Sequence, residues 1–448
     1  MQTIVSRIVT AALTGLGGLP ALAQESPKPD RYVLVRCGRL LDVPGKPPRA
    51  DATLVVRNDK VDRVVDGFGG PDLSKERTAG ATISEVDLRD SFVLPGLIDC
   101  HVHLTMEFSP DTALKAVTET ASDKAMRGVV YAKRTLDAGF TTVRDLGAEA
   151  EAIFALRDAI ARGDVVGPRI IAAGKSVAIT GGHADPTNGY RADVFGVPGP
   201  EEGVADGPDE CMKAVRAQIK RGADVIKITA TGGVLSRSGA GLALHFTEDE
   251  LRAIVVAAHA MGRKVAAHAH GTDGINAALR AGVDSIEHAT FIDDESLRLF
   301  KEKGTWMVPT LLASATVTEN ARKPGYYIDV VARKALEAGP ARMTNFSRSI
   351  KSGVKVAFGT DSGVSTHGLN AREFALMVQA GMSPADCIVA ATINAAALCG
   401  LEREIGTIEP GKQADVIAVR GDPLTDATEF ERVTFVMRGG SVVRGVAK

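Results

Sequence analysis

The 448-residue sequence predicts a (β/α)8 TIM-like barrel with a small β-sandwich domain built from both chain ends. Three observations carry this reading. Eight short apolar runs alternate with helical segments through the middle of the chain, the pattern of a parallel barrel. Both ends instead hold short strand-like runs separated by turns. The Gly-rich fingerprint that a doubly wound open sheet places after an early strand is missing, since Thr180-Gly-Gly-His183 and Thr231-Gly-Gly-Val234 lack its spacing.

Residues 1–23 read as an export signal. Arg7 gives a positive start, 8–22 is mostly apolar, and Ala21-Leu22-Ala23 forms a small-x-small cleavage site before Gln24. The alternative, a membrane anchor, is disfavoured because the stretch is short and contains Gly15, Gly17, Gly18 and Pro20. The expected location is periplasmic or extracellular, with no membrane association after cleavage. The remaining chain divides into a sandwich part at 24–95, the barrel at 96–398 and the rest of the sandwich at 399–448.

In the first sandwich part, 32–36, 52–56 and 61–65 read as small antiparallel strands, and 415–419 and 433–437 repeat the style at the other end. The barrel strands are expected at 97–104, 141–145, 169–173, 225–229, 264–268, 285–288, 306–309 and 356–360. Helix starts are marked by a capping box at Thr247 and Glu250 and by Ser383-Pro384 with Asp386.

Composition is that of an ordinary globular chain, 24% charged and 45% hydrophobic. A formal net charge of −2 gives no electrostatic support for a nucleic-acid partner. Five cysteines, at 37, 100, 211, 387 and 399, leave at least one unpaired, and Cys100 and Cys399 sit in apolar contexts that suit buried thiols.

The chemistry concentrates where the barrel strands end. Phe92-Val-Leu-Pro-Gly-Leu-Ile-Asp-Cys-His-Val-His-Leu104 delivers His101 and His103 to one face, because strand side chains alternate. His268 and His270 end the fifth strand, His288 ends the sixth, and Asp361 follows the eighth. One histidine alone is more often structural than a ligand; ligand-type residues in order on successive strands point to metal. Lys227, inside Asp224-Val-Ile-Lys-Ile-Thr229, is the least natural of the set, because a buried ammonium is costly. Either it has a buried salt-bridge partner, or CO2 has converted it to a carbamate that bridges two divalent cations.

These motifs resemble the binuclear metal branch of the amidohydrolase superfamily. Val93-Leu-Pro-Gly-Leu-Ile-Asp-Cys-His-Val-His103 is similar to the family's first-strand motif, Val225-Ile-Lys-Ile to its carbamylated-lysine strand, and Gly359-Thr-Asp-Ser to its last-strand aspartate. Ile405-Gly-Thr-Ile-Glu-Pro-Gly-Lys-Gln-Ala-Asp415 resembles the return to the β-domain. Within the superfamily the chain looks closest to imidazolonepropionase-related dipeptidases and carboxypeptidases, and to amidohydrolases that cleave ochratoxin A. The resemblance implies that His101, His103 and Asp361 serve one metal, that His268 and His288 serve the other, and that carbamylated Lys227 bridges them. It implies two divalent ions, zinc being expected, Asp361 as the catalytic proton carrier, a small amide or dipeptide substrate, and a homo-oligomer such as an octamer. The alternative is a mononuclear deaminase or a cyclic-amide hydrolase of the same superfamily.

Substrate contacts are sought on the mouth loops. Arg237 suits a substrate carboxylate, its competing role being a solvated loop charge. His183 and Val234 lie on the loops after the third and fourth strands, with Tyr190 and His245 as weaker pocket candidates. His270 shares a face with His268 and is either a substrate contact or structural, His259 belongs to a packed helix, and Arg144-Asp145 reads as a barrel ion pair.

Overall fold

The computed structural model describes residues 29–236 and 241–445, so the expected signal segment and Arg237 lie outside the described residues. The early segment supplies β1 (Arg31–Leu40), β2 (Arg49–Arg57), β3 (Lys60–Asp66) and β4 (Thr82–Pro95). The barrel region supplies β5 (Leu97–Val102), β6 (Phe140–Asp145), β7 (Arg169–Ala172), β8 (Val225–Thr229), β9 (Lys264–Ala269), β10 (Ser285–His288) and β11 (Trp306–Val308). The chain ends in β12 (Val416–Val419), β13 (Phe435–Arg438) and β14 (Ser441–Arg444).

The two chain ends share one seven-stranded sheet, ordered β14-β13-β12-β4-β1-β2-β3. Val33, Val35, Cys37, Leu54, Val416 and Met437 meet in its core. The three strands expected at 32–36, 52–56 and 61–65 pair antiparallel as β1, β2 and β3, whereas β4, not singled out in the sequence, runs parallel to β1. The intervening β2–β3 hairpin and the helix Ser74–Thr78 form the long crossover that parallel pairing requires.

The barrel is assembled from a parallel sheet β5-β6-β7 and another of β8 to β11, whose strands are mostly buried along their length because both faces are covered. Two joins close the ring. Between β7 and β8, the Asp224 N–H donates to the Ala172 carbonyl at 2.8 Å and Val177 pairs with Ile228. Between β11 and β5 runs the segment 355–362. Met307 N–H donates to the Lys355 carbonyl at 2.9 Å, Cys100 N–H to Phe358 at 2.9 Å and Asp361 N–H to His101 at 2.7 Å. The eighth strand expected at 356–360 is this pairing segment and not a continuous ladder; the backbone turns left-handed at Asp361, φ 58°, which breaks the pleat.

Buried Asp99 locks that join. Its Oδ1 accepts the His101 and Thr360 N–H groups, both at 3.1 Å, and its Oδ2 accepts Thr360 Oγ1 at 2.6 Å and Asn370 Nδ2 at 2.8 Å. The two helix starts read from sequence are present. Thr247 and Glu250 cap Glu248–Ala260 reciprocally, and Ser383 caps Pro384–Val389. The long helix Asp329–Lys351 crosses the barrel mouth with Val331, Ala335, Ala338 and Arg342 on one face. Among the described residues no helix is long and apolar enough to cross a membrane.

Candidate metal centre

A cavity of about 670 Å³ opens at the C-terminal ends of the barrel strands. His101, His103, Lys227, His268, His288 and Asp361 all line it, as do His183, His270 and Val234. The imidazoles crowd together: ring centroids are 5.4 Å apart for His101 and His103, 5.1 Å for His101 and His288, and 4.6 Å for His268 and His288. Two of the six residues are held in left-handed backbone, His288 at φ 73° and Asp361 at φ 58°, where side chains other than glycine's are strained. Strain of this kind persists only where the surroundings over-determine it, and here it aims both side chains inward.

Hydrogen bonds fix which nitrogen of each ring is free. His101 Nδ1 lies 2.9 Å from Glu287 Oε2, and His103 Nδ1 lies 2.7 Å from the Gly147 carbonyl oxygen. A carboxylate and a carbonyl only accept, so both rings carry the proton on Nδ1 and expose a lone pair at Nε2. Those lone pairs face Asp361 Oδ1, 3.6 Å from His101 Nε2 and 3.1 Å from His103 Nε2. Oδ1 is buried and makes no hydrogen bond among the described residues. Burial opposes charge on His103, but the Asp361 carboxylate outweighs it and raises that ring's pKa, so without a cation a proton on His103 Nε2 is favoured. Three acceptors converging on one buried point fit a cation. His101, His288 and Asp361 offer ligand atoms within 4.8 Å of one another, and so do His268, His270 and His288.

Burial opposes charge on Asp361, but His101, His103 and Lys227 outweigh it and hold the carboxyl well below the usual range. Burial, then Lys227, pushes His101 down to about 4, so its ring stays neutral. His268 and His288 lie well below the ordinary histidine value, first through burial and then through neighbouring imidazoles.

Lys227 is 4% exposed, with Nζ 3.4 Å from His101 Nε2. Burial pushes its pKa down to about 8, which makes the free amine far more accessible near neutral pH than in an ordinary lysine. Among the described residues it forms no ion pair within 4.0 Å, which counts against the salt-bridge reading and leaves a nucleophilic amine beside the acceptor cluster.

Around this floor, His183 packs on His268 at 4.3 Å between centroids, and its Nδ1 meets Ser236 Oγ at 2.5 Å. Gly233 makes room for that ring, because a Cβ there would stand 2.2 Å from His183 Cε1. Val234 is 9% exposed on the adjoining loop. Tyr190 lines the cavity and donates to the Ala113 carbonyl at 3.0 Å, whereas His245 does not line it. His259 is corrected from a packed position to the surface, where its half-exposed ring meets Asp284 at 2.8 Å. Arg144 does form a barrel ion pair, but with Glu287 at 2.9 Å; Asp145 instead accepts the Leu104 N–H at 2.6 Å.

Three supporting residues escaped the sequence reading. Glu287, wholly buried, bridges Arg144 and His101. Lys334 donates to the Gly233 and Ser236 carbonyls, both at 2.8 Å, and so holds the loop that carries Val234. Arg342, 4% exposed, reaches the cavity wall beside His270. A charged residue within an apolar strand was a readable signal for Glu287, and an arginine on the apolar face 331-335-338 was one for Arg342.

Comparison with known proteins identifies the family. The model of the Amidohydrolase family matches residues 92–443. An ochratoxinase from Aspergillus niger is 34% identical over 440 residues, covering 93% of this chain and 87% of the relative. The crystal structure of a Xaa-Pro dipeptidase with methionine bound in its active site superposes with a TM-score of 0.87 at 42% identity, covering 92% of this chain and 100% of the other. A prolidase complexed with N-methylphosphonate-L-proline gives a TM-score of 0.83 at 29% identity, covering 93% and 100%.

Proposed function

For a chain that belongs to the amidohydrolase family, we propose metal-dependent hydrolysis of the amide bond that precedes a C-terminal amino acid. The observation that carries this is the convergence of His101 Nε2, His103 Nε2 and Asp361 Oδ1 on one buried point, beside a lysine that has no carboxylate within 4.0 Å among the described residues. The substrates are dipeptides or N-acyl amino acids, including ochratoxin A, which would yield phenylalanine and ochratoxin alpha. Support for this class comes from the ochratoxinase and dipeptidase relatives.

His101, His103 and Asp361 would hold one divalent ion, His268 and His288 a second, with carbamylated Lys227 between them; zinc suits the imidazole-rich set. Bound there, such ions polarise the scissile carbonyl and make water acidic enough to attack near neutral pH. Asp361 is ionised and its Oδ1 is unsatisfied, so it takes the proton of the attacking water and returns it to the leaving amine. Neutral His183 and His270 at the wall offer hydrogen bonds to substrate oxygens, and Val234 offers apolar surface beside them. Arg237, on the same loop as Val234, would clamp the terminal carboxylate. The mature protein would act outside the cytoplasm after removal of residues 1–23, as a homo-oligomer such as an octamer.

The test compares dipeptides, N-acyl amino acids and ochratoxin A with their C-terminal amides on the metal-loaded enzyme. Amino-acid release from the free acids, with much slower turnover of the amides, is the expected result. Equal rates would remove the carboxylate clamp and turn the reading toward a general amidase, and ammonia release from a purine or pyrimidine would favour the deaminase.

A further inference from the structure

His270 is close enough to His268 and His288 to be read as a third ligand, since the nitrogens of the three lie within 4.8 Å of one another. Hydrogen bonding separates them. The guanidinium of Arg342 donates from Nη2 to His270 Nδ1 at 3.3 Å and from Nε to Thr290 Oγ1 at 3.1 Å. Thr290 Oγ1 in turn lies 2.7 Å from His270 Nδ1. A guanidinium has no acceptor atom, so the His270 Nδ1 it points at bears a lone pair, and the proton of the neutral ring sits on Nε2.

The neighbouring ring is wired the opposite way. His288 Nδ1 lies 2.7 Å from Thr310 Oγ1. That hydroxyl gives its own proton to the Pro309 carbonyl at 2.8 Å, so it accepts from His288, whose Nε2 is left bare. Arg342 fastens this side as well, donating from Nη1 to the Thr310 carbonyl at 3.0 Å. Two stacked imidazoles, 4.9 Å between centroids, thus carry opposite tautomers on one guanidinium.

We infer that Arg342 is a positioning residue that fixes His270 as an Nε2–H donor to a substrate oxygen, an amide carbonyl or carboxylate, and withdraws it from the metal set. The inference rests on the metal-dependent hydrolysis proposed above. It explains why a buried arginine faces the cavity with no carboxylate within 4.0 Å among the described residues: its partners are a ring nitrogen, a hydroxyl and a carbonyl. A donor held in advance, in a site shielded from water, acts without reorganising when charge develops on the substrate.

The test has two readouts. Metal content is measured for His270→Leu and His268→Leu, and long-range 1H–15N spectra of histidine-labelled protein assign the His270 tautomer with and without metal. The expected results are wild-type metal content in His270→Leu with kcat/KM down by roughly 10–100-fold, metal loss in His268→Leu, and a bare Nδ1 on His270 that Arg342→Met alters. Metal loss in His270→Leu equal to that in His268→Leu overturns the inference, as does a proton on Nδ1 of His270 in the wild-type spectrum. A wild-type protein that binds no metal overturns the proposed hydrolysis instead, and the spectrum of the metal-free protein still decides the tautomer.

Discussion

Replacing Glu287 with glutamine should cost both stability and metal affinity. Glu287 is fully buried, with Oε1 accepting from Arg144 Nη2 at 2.9 Å and from Ser285 Oγ at 2.5 Å, and Oε2 accepting the His101 Nδ1 proton at 2.9 Å. Burial opposes its charge, yet Arg144 and then His101 overcome it and hold the carboxyl down to about 2. Glutamine keeps the shape and removes the charge. Its carbonyl oxygen can satisfy Arg144, but its amide N–H2 then meets the His101 N–H. His101 must shift its proton to Nε2, where it blocks the lone pair that faces Asp361. Leaving Arg144 buried without a counter-charge costs about 3–5 kcal/mol, and losing the partner that orients a ligating histidine costs roughly 10–100-fold in metal affinity.

The assay is zinc titration of the metal-free protein alongside urea unfolding. The pH dependence gives a second check. A carboxyl whose folded pKa lies below its ordinary 4.5 contributes stability that is fully present above that pH and lost as pH falls toward about 2. Glu287→Gln should lack that component of acid destabilisation. An unchanged zinc Kd together with an unchanged unfolding midpoint would refute the reasoning, because no route would then connect Glu287 to the ligand.

Other outcomes follow from the same geometry. Asp361→Asn should lower kcat by ~10²–10⁴, and metal analysis of the variant must show retained ions if proton transfer is the cause. Lys227→Ala should abolish activity, with partial rescue by short carboxylic acids that replace a carbamate; a free ammonium on Lys227 in a metal-loaded crystal structure would refute the bridge. Arg237→Ala should raise KM for free-acid substrates about tenfold or more, the loss of one charged hydrogen bond of ~1.5–3 kcal/mol, while KM for the corresponding amides stays unchanged.

Much of the site was legible because barrel strands translate sequence order into spatial order. His101, His103, Lys227, His268, His288 and Asp361 are scattered over 261 positions, yet each lies in, ends or follows a barrel strand, and all six line one cavity. The interrupted eighth strand was less legible. It pairs correctly on both sides, but the left-handed turn at Asp361 that aims the carboxylate inward also breaks the ladder. A parallel β1–β4 pair was hidden for a different reason: the alternation of apolar residues is the same in either direction, and only the crossover length distinguishes the two.

What stayed hidden is the layer that decides which nitrogen of each ring carries a proton. Lys227 stood out as a charge in an apolar strand; Arg144 stood out too, but the adjacent Asp145 offered itself as its partner in sequence and hid the pair with Glu287. Arg342 is harder to see. It lies on a helix, 72 residues beyond His270, and its role depends on two threonine hydroxyls, at 290 and 310, whose own partners are set by backbone carbonyls and loop geometry. Spacing brings imidazoles together; only the acceptors and donors behind them divide ligands from substrate contacts. The proposed division follows from one rule applied to four of the rings, His268 being the exception with a carbonyl 3.5 Å from its Nε2. A carboxylate, a carbonyl or a committed hydroxyl at Nδ1 frees Nε2 to bind a cation, as at His101, His103 and His288, whereas a guanidinium at Nδ1 leaves Nε2 a proton donor, as at His270.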